Sequence, residues 1–154
     1  MATELAPQLW KHMEDHYHPQ DHVPEDAREV LPALREAGYL LAVISNRDLS
    51  YDEKLADLGL APYFRFSVAA GEIQAWKPDP AIFEYALQKA GIAPSEAVYI
   101  GDNYYADVVG ARSAGLHVIL YDPRHLFPDP DCAVVRSFVE VPDALDCLVR
   151  EAKT

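Results

Sequence analysis

Apolar runs alternate with amphipathic segments along most of this chain. The runs with the length and β-favouring composition of buried strands are Tyr39–Ser45, Phe64–Ala69, Ala97–Ile100 and Leu116–Leu120, with Ala133–Arg136 as a candidate edge strand. The helices predicted around them are Glu25–Ala37, Tyr51–Leu58, Pro80–Ala90, Ala106–Ala114 and Pro142–Ala152. Strands and helices that alternate in this way predict right-handed βαβ units. We therefore expect an α/β fold with a mainly parallel sheet and helices on both faces.

The first residues depart from this alternation. Ala2–Glu14 has the apolar spacing of a helix, and the polar joint His16–Pro24 follows it. We therefore expect residues 1–22 to form a helical appendage and linker, and residues 23–154 to form the α/β core.

Charge and hydrophobicity narrow the possible partners. Half of the 154 residues are hydrophobic, and the formal net charge is −12. A nucleic-acid-binding protein needs a surplus of lysine and arginine, so we expect no nucleic-acid partner, although a few local cations and a metal can still hold one phosphate. No apolar stretch is long enough to cross a bilayer, so we expect a soluble, cytoplasmic protein without a membrane partner. Cys132 and Cys147 lack metal-ligand spacing and are expected to be reduced thiols.

In a parallel sheet of this kind, ligands bind beyond the carboxyl ends of the strands. Ser45 and Asn46 lie at one such end and can donate hydrogen bonds to a ligand oxygen, but taken alone they favour an ordinary turn. Lys77 precedes Pro78 and Pro80, which stiffen the backbone and present the ammonium from a defined place. A solvated surface lysine is an equally good interpretation.

The strongest chemical signal follows the third predicted strand. Gly101 lets the chain turn closely there, Asp102 comes directly after it, and Asp107 lies at the start of the next helix. Two carboxylates that converge at a strand end repel each other unless a cation lies between them, and hard oxygen ligands suit Mg²⁺. The alternative is structural, with Asp107 capping the helix and Asp102 making a turn.

Three of these segments together resemble a known family. Ser45-Asn46, Lys77-Pro78-Asp79-Pro80 and Gly101-Asp102 with Asp107 and Gly110–Gly115 are similar to motifs II, III and IV of the haloacid dehalogenase-like (HAD) superfamily. They occur in the family's order and at similar separations, over about Val23 to Pro123. The helical stretch before them resembles the end of an inserted helical cap. Each motif is weak alone, and the ordered set is a strong signal.

The resemblance implies a Rossmann-like fold and a Mg²⁺-dependent hydrolase, most often a phosphatase that acts on a small phosphorylated metabolite through a phospho-aspartate. By position, Ser45 and the backbone of Asn46 would bind the transferring phosphoryl group. Lys77 would neutralise charge on the nucleophile and the phosphate. Asp102 would ligate Mg²⁺, with Asp107 in support. Lys77 and Asp102 are therefore the predicted catalytic residues, and Asp102 and Asp107 the predicted metal site.

The family's first motif is missing from these residues. It is an Asp-x-Asp at the end of the first strand, which supplies the nucleophile, and it should precede Ser45 by a long margin. Before Ser45 the chain offers Asp15, Asp21 and Asp26, and none of them follows an apolar strand. Asp129-Pro130-Asp131 has the right letters but lies in a proline-rich loop after the last motif, and we interpret it as a turn. Without the nucleophile the phospho-aspartate cannot form.

The missing strand also has a structural consequence. In the family it lies between the strands that end at Ser45 and Asp102, so its absence leaves two half-sheets. Either those two strands pair directly, or another chain completes the sheet, through a homo-oligomer or a strand-completing partner. We favour association, because it keeps the helices at the separation that their apolar faces cover.

Two further clusters have weaker interpretations. A group of histidines and aspartates could gather a transition metal but is more simply a solvated linker; its members are His12, His16, His18, His22, Asp15 and Asp21. Tyr104 and Tyr105 are interpreted as packing aromatics rather than as lid-facing ones.

Two functions therefore remain open. The chain is either part of a HAD-type hydrolase, inactive without the nucleophile strand, or a non-catalytic module that binds phosphate and Mg²⁺ or another protein.

Overall fold

The computed structural model describes residues 22–151, and these residues form the expected α/β fold. Their strands are β1 (Ala42–Ser45), β2 (Phe66–Ala69), β3 (Val98–Gly101), β4 (His117–Tyr121) and β5 (Ala133–Val135). Their α-helices are α1 (Glu25–Glu36), α2 (Asp52–Asp57), α3 (Ala70–Ile73), α4 (Pro80–Ala90), α5 (Gly110–Ser113) and α6 (Val141–Glu151). A π-helical segment covers Tyr104–Val109, and 3₁₀ turns cover Ala61–Tyr63, Pro94–Glu96 and Phe138–Glu140. None of the described helices is both long enough and apolar enough to cross a membrane.

Most predicted elements are present with shifted ends, and two differ in kind. The first strand begins at Ala42 rather than Tyr39, and the last one ends at Val135. The helix predicted from Ala106 is instead a π-helical turn from Tyr104 that continues into α5. The four-residue helix α3 was not predicted, because Ala70–Ile73 is too short for a helical period to be recognised.

All strand pairs within the described residues are parallel, but they form two separate sheets. β1 pairs with β2, with Ser45 opposite Ala69. β3 pairs with β4, and β4 with β5. No described strand joins β1 to β3, so the direct pairing of these two strands that we considered does not occur here. The predicted break between two half-sheets is confirmed within residues 22–151.

Helices cover both faces of the strands, as the alternation of side chains requires. In β4, Val118 and Leu120 point into a core with α4, whereas Ile119 points into a second core with α1 and α6. Helix α4 begins where predicted because the Asp79 side chain accepts a hydrogen bond from the Ala81 amide, at 2.9 Å, and Pro80 holds the first helical position. The segment that carries Lys77 is thereby fixed to the start of a buried helix.

Phe83 is the largest fully buried side chain within residues 22–151, and its ring packs edge-on against Tyr99 of β3 with centroids 5.0 Å apart. We expect Phe83→Ala to lower the free energy of unfolding by about 3–5 kcal/mol, because it removes the ring and leaves a cavity between α4 and β3. Tyr85→Ala on the exposed side of the same helix is the matched control, with an expected loss of about 1 kcal/mol or less. Urea denaturation followed by circular dichroism measures both, and equal losses would contradict this assignment of the core.

Candidate active site

Lys77 is the residue on which the candidate site converges, and its backbone is held by the loop after β1. The side-chain amide of Asn46 donates to the Lys77 carbonyl at 3.0 Å, and its oxygen accepts from the Lys77 amide at 2.7 Å. This reciprocal pair joins two loops that are 31 residues apart in sequence. The Asn46 side chain is therefore a clamp that holds the Lys77 backbone.

The Lys77 ammonium reaches the elements that follow β3. It donates to Asp107 Oδ1 at 2.6 Å and to the Tyr99 hydroxyl at 2.9 Å. The side chains of the ion pair are 13% and 5% exposed, so the pair is shielded from most of the solvent. A buried ion pair is stable only when both charges have hydrogen-bond partners. Here the ammonium and the carboxylate are hydrogen-bonded to each other.

Asp107 has no free carboxylate oxygen. Its second oxygen, Oδ2, accepts the Asn103 amide at 2.9 Å. Gly101 makes this possible, because a Cβ at that position would collide with the Asp107 carboxylate. The close turn predicted at Gly101 thus serves the placement of Asp107, which supports the loop and Lys77.

Asp102 has the opposite environment. Its side chain is exposed at the carboxyl end of β3, and it makes no hydrogen bond or ion pair within the described residues. Ser45 lies half-buried at the carboxyl end of β1. The structure therefore brings Ser45, Asn46, Lys77 and Asp107 to one edge of the fold, with Asp102 beside them on the solvent side.

These residues fit Mg²⁺ only in part. Mg²⁺ keeps several waters and is usually held by one or two carboxylates together with phosphate oxygens, and the free Asp102 carboxylate suits that role. Asp107 suits a supporting one, since Lys77 and the Asn103 amide take both of its oxygens. Within residues 22–151 there is no group of three or more acidic, histidine or cysteine side chains that could hold a metal alone. A phosphate or a further ligand is needed to complete the site.

Tyr99 is a site residue that the sequence analysis missed. Its hydroxyl accepts from Lys77 and donates to the Ile44 carbonyl of β1 at 3.4 Å, so it spans the two half-sheets. Burial, and next the charge of Asp107, raise the pKa of Tyr99 far above its ordinary value, and the hydroxyl therefore stays protonated. A signal was present in the sequence, because a tyrosine two residues before Gly101 places a hydroxyl in an otherwise aliphatic strand.

The remaining clusters have structural roles. Asp131 pairs with Arg112 at 2.8 Å and accepts the Tyr104 hydroxyl, so Asp129-Pro130-Asp131 is tied to the surface and supplies no nucleophile at Lys77. Tyr104 packs against Phe127, as predicted, but the packing interpretation of Tyr105 is wrong, because that side chain is 67% exposed. Apart from the exposed His22, the histidine cluster lies outside the described residues.

The chain is similar to known proteins of one hydrolase family. Residues 2–121 match the family described as haloacid dehalogenase-like hydrolase. The human haloacid dehalogenase-like hydrolase domain-containing protein 3 is 39% identical over 155 residues, which cover 96% of this chain and 60% of the human protein. Phosphoserine phosphatase of Thermus thermophilus is 41% identical over 111 residues, which cover 70% of this chain and 44% of that protein. The chain thus spans less than two thirds of these relatives.

Two solved structures are also similar to this chain. A 2-haloacid dehalogenase from Pseudomonas syringae superposes with a TM-score of 0.75 at 32% identity, covering 83% of this chain and 55% of that one. A HAD phosphatase from Thermococcus onnurineus gives a TM-score of 0.74 at 31% identity, covering 80% and 58%.

The different environments of Asp107 and Asp102 lead to a stability prediction. We expect Asp107→Ala and Lys77→Met each to lower the free energy of unfolding by about 3–5 kcal/mol, because each leaves a buried charge without its partner. The double variant Lys77→Met/Asp107→Ala should lose less than the sum, with a coupling of about 1–3 kcal/mol. Asp102→Ala is the control, and we expect a change within about 0.5 kcal/mol. Urea denaturation of the four variants checks this, and additive losses would show that the pair is not coupled.

Proposed function

We propose that this chain, which belongs to the haloacid dehalogenase-like hydrolase family, provides the phosphate- and Mg²⁺-binding part of a phosphoester-hydrolase site. The family resemblance found in the three ordered motifs is confirmed by the match over residues 2–121. The fold prediction is confirmed by the parallel strands with helices on both faces and by the similar solved structures. The substrate class, the metal and the turnover are our proposals.

The proposal rests on one observation. The Lys77 ammonium is fixed where three loops meet. Asn46 clamps its backbone, and Asp107 and Tyr99 hold its Nζ. Phosphoryl transfer depends mainly on positioning and on cations at the phosphate oxygens, so a prepositioned lysine is the feature that such a site needs first. An ordinary surface lysine would be neither clamped nor 13% exposed.

The other residues have roles that follow from their positions. We assign to the Ser45 hydroxyl and the Asn46 backbone amide, at the carboxyl end of β1, the donation of hydrogen bonds to phosphate oxygens. Asp102 offers its free carboxylate to Mg²⁺, which when bound would withdraw charge from the phosphate. Asp107 holds the Lys77 ammonium in place, and it accepts the Asn103 amide of the neighbouring loop. The named activity of the similar phosphoserine phosphatase supports a small phosphorylated metabolite as the ligand.

Hydrolysis of a phosphoester needs a nucleophile beside Lys77, and the site residues named above do not supply one. No Asp-x-Asp follows an apolar strand in the 154 residues. Asp107 has both oxygens engaged, and Asp102 is proposed to bind the metal. We therefore propose that the chain by itself binds phosphate without hydrolysing its esters. A non-catalytic binding module is the second candidate, and it is favoured by the same absence of a nucleophile.

Turnover is tested with p-nitrophenyl phosphate in the presence of Mg²⁺. We expect the purified chain to hydrolyse it no faster than the Asp102→Ala variant, because neither protein can form a phospho-aspartate. Release of p-nitrophenol at 405 nm measures the rate. A Mg²⁺-dependent rate that Asp102→Ala abolishes would show that the chain contains a nucleophile and would overturn the inactive scaffold.

Binding is tested separately, with inorganic phosphate as the probe and isothermal titration calorimetry as the measurement. We expect weak binding that strengthens with Mg²⁺ and that falls at least about tenfold in Lys77→Ala, the equivalent of about 1.4 kcal/mol. Asp102→Ala should remove the Mg²⁺ effect and leave the metal-independent part. Lys89→Ala is the matched lysine control, since its ammonium binds the Ser67 carbonyl at 3.2 Å, away from this site. Binding that ignores both Mg²⁺ and Lys77→Ala would contradict the convergent site.

A further inference from the structure

A small pocket lies beside β2 and shares no residue with the candidate active site. It has a volume of about 260 Å³ and is bounded by α2, by β2 with the turn before it, and by the end of α4. Its polar lining consists of Asp52, Arg65, Ser67 and Lys89. The proposed phosphate site uses none of these side chains, so their arrangement needs an explanation of its own.

Ser67 holds two opposite charges at this pocket. Its side chain is buried, its hydroxyl donates to Asp52 Oδ1 at 2.5 Å, and its carbonyl accepts from the Lys89 ammonium at 3.2 Å. Within residues 22–151 the Asp52 carboxylate and the Lys89 ammonium nevertheless form no ion pair with each other. The two charges are therefore fixed to one residue and face one space, but they remain separated.

Each charge keeps capacity for a ligand. The Lys89 ammonium has three N–H donors, of which the Ser67 carbonyl takes one. The Arg65 guanidinium lines the same space and makes no hydrogen bond or ion pair within the described part of the chain. The Ser67 hydroxyl, then the Ser50 hydroxyl and the charge of Lys89, lower the pKa of Asp52, so this carboxylate is ionised at neutral pH.

The rest of the lining is mainly apolar. Leu55 of α2 is buried, and Phe64 and Phe66 are half-buried. The Lys89 ammonium lies 5.1 Å from the centroid of the Phe66 ring, so the cation borders the apolar wall. The pocket therefore offers an apolar surface beside a separated pair of charges.

This combination selects among ligands by charge and size. An isolated anion, including phosphate, meets the Asp52 carboxylate, and an isolated cation meets Arg65 and Lys89. A molecule with an ammonium and a carboxylate on one carbon atom can pair with both signs at once, and an aliphatic substituent on that carbon can lie against the apolar wall. The volume is below the roughly 300 Å³ at which pockets for drug-sized ligands begin, so the ligand is small.

We infer that this pocket binds a free aliphatic α-amino acid. The ammonium of the ligand pairs with Asp52, its carboxylate pairs with Lys89 and Arg65, and its side chain lies against the apolar wall. Because Lys77 does not line the pocket, the bound amino acid is not a substrate of the candidate active site. The inference therefore does not depend on phosphate binding, on Mg²⁺ or on turnover.

The test is an NMR titration of the isotope-labelled chain with L-leucine. We expect saturable shifts in the amides of residues 52–55 and 64–67, and unchanged amides in β5, which does not line the pocket. Two analogues each remove one charge, since isocaproate lacks the ammonium of leucine and isoamylamine lacks its carboxylate. Each should bind at least about tenfold more weakly than L-leucine, the equivalent of about 1.4 kcal/mol.

Variants that remove a charge locate the site. Asp52→Asn and Lys89→Met should each weaken the binding of L-leucine at least about tenfold, because each removes the partner of one ligand charge. Both residues are exposed, so the fold should be retained, and circular dichroism checks this. Asp57→Asn in the same helix is the matched control, since Asp57 is exposed and does not line the pocket, and it should leave the affinity within about twofold.

Each other result would overturn the inference. The absence of saturable shifts with L-leucine would show that the pocket holds no amino acid. Equal binding of isocaproate or isoamylamine would show that one charge or the apolar wall is enough. Equal losses in Asp52→Asn and Asp57→Asn, or no loss in Lys89→Met, would place the leucine elsewhere. The phosphate titration keeps Lys89→Ala as its control, because Asp52 disfavours phosphate in this pocket, so the two proposals fail separately.

Discussion

Within residues 22–151 the two half-sheets share no backbone ladder, and side-chain hydrogen bonds connect their ends. The hydrogen bonds of Lys77 to Tyr99 and Asp107, and the clamp of Asn46 on the Lys77 backbone, tie the end of β1 to the loop after β3. Helix α4 adds Phe83, which packs against Tyr99 across the same junction. The clamp and the ion pair of the candidate site thus also link the two halves of the fold, so Asn46, Lys77 and Asp107 contribute to both the site and the stability.

The sequence was sufficient for the alternation of strands and helices, because buried parallel strands are short apolar runs and the helices between them end at glycine. It was also sufficient for the break in the sheet, since the ordered motifs left a place for a strand that the residues do not supply. The π-helical turn at Tyr104–Val109 was not predictable from a helical period, because its period differs from that of an α-helix and it carries Asp107 packed against Gly101.

The sequence predicted which residues lie in the candidate site, but not which of them bond to each other. The residues Ser45, Asn46, Lys77 and Asp107 converge, yet spacing along a chain does not reveal which carboxylate a lysine selects. Asp107 lies in the buried turn and takes the ammonium, whereas Asp102 points to solvent. Tyr99 was missed because a tyrosine in a strand ordinarily packs. Its polar role arises from the gap beside it, which leaves the Ile44 carbonyl open to a side-chain donor.

The buried ion pair explains how the site keeps its form between two half-sheets that do not pair with each other within residues 22–151. A lone ammonium at 13% exposure would be driven out into water, and it would carry the Asn46 clamp with it. Asp107 neutralises the ammonium, so the buried charge is no longer driven into water. The second oxygen of Asp107 accepts the Asn103 amide and is therefore not available to a ligand. The cation is therefore held by contacts within residues 22–151 alone.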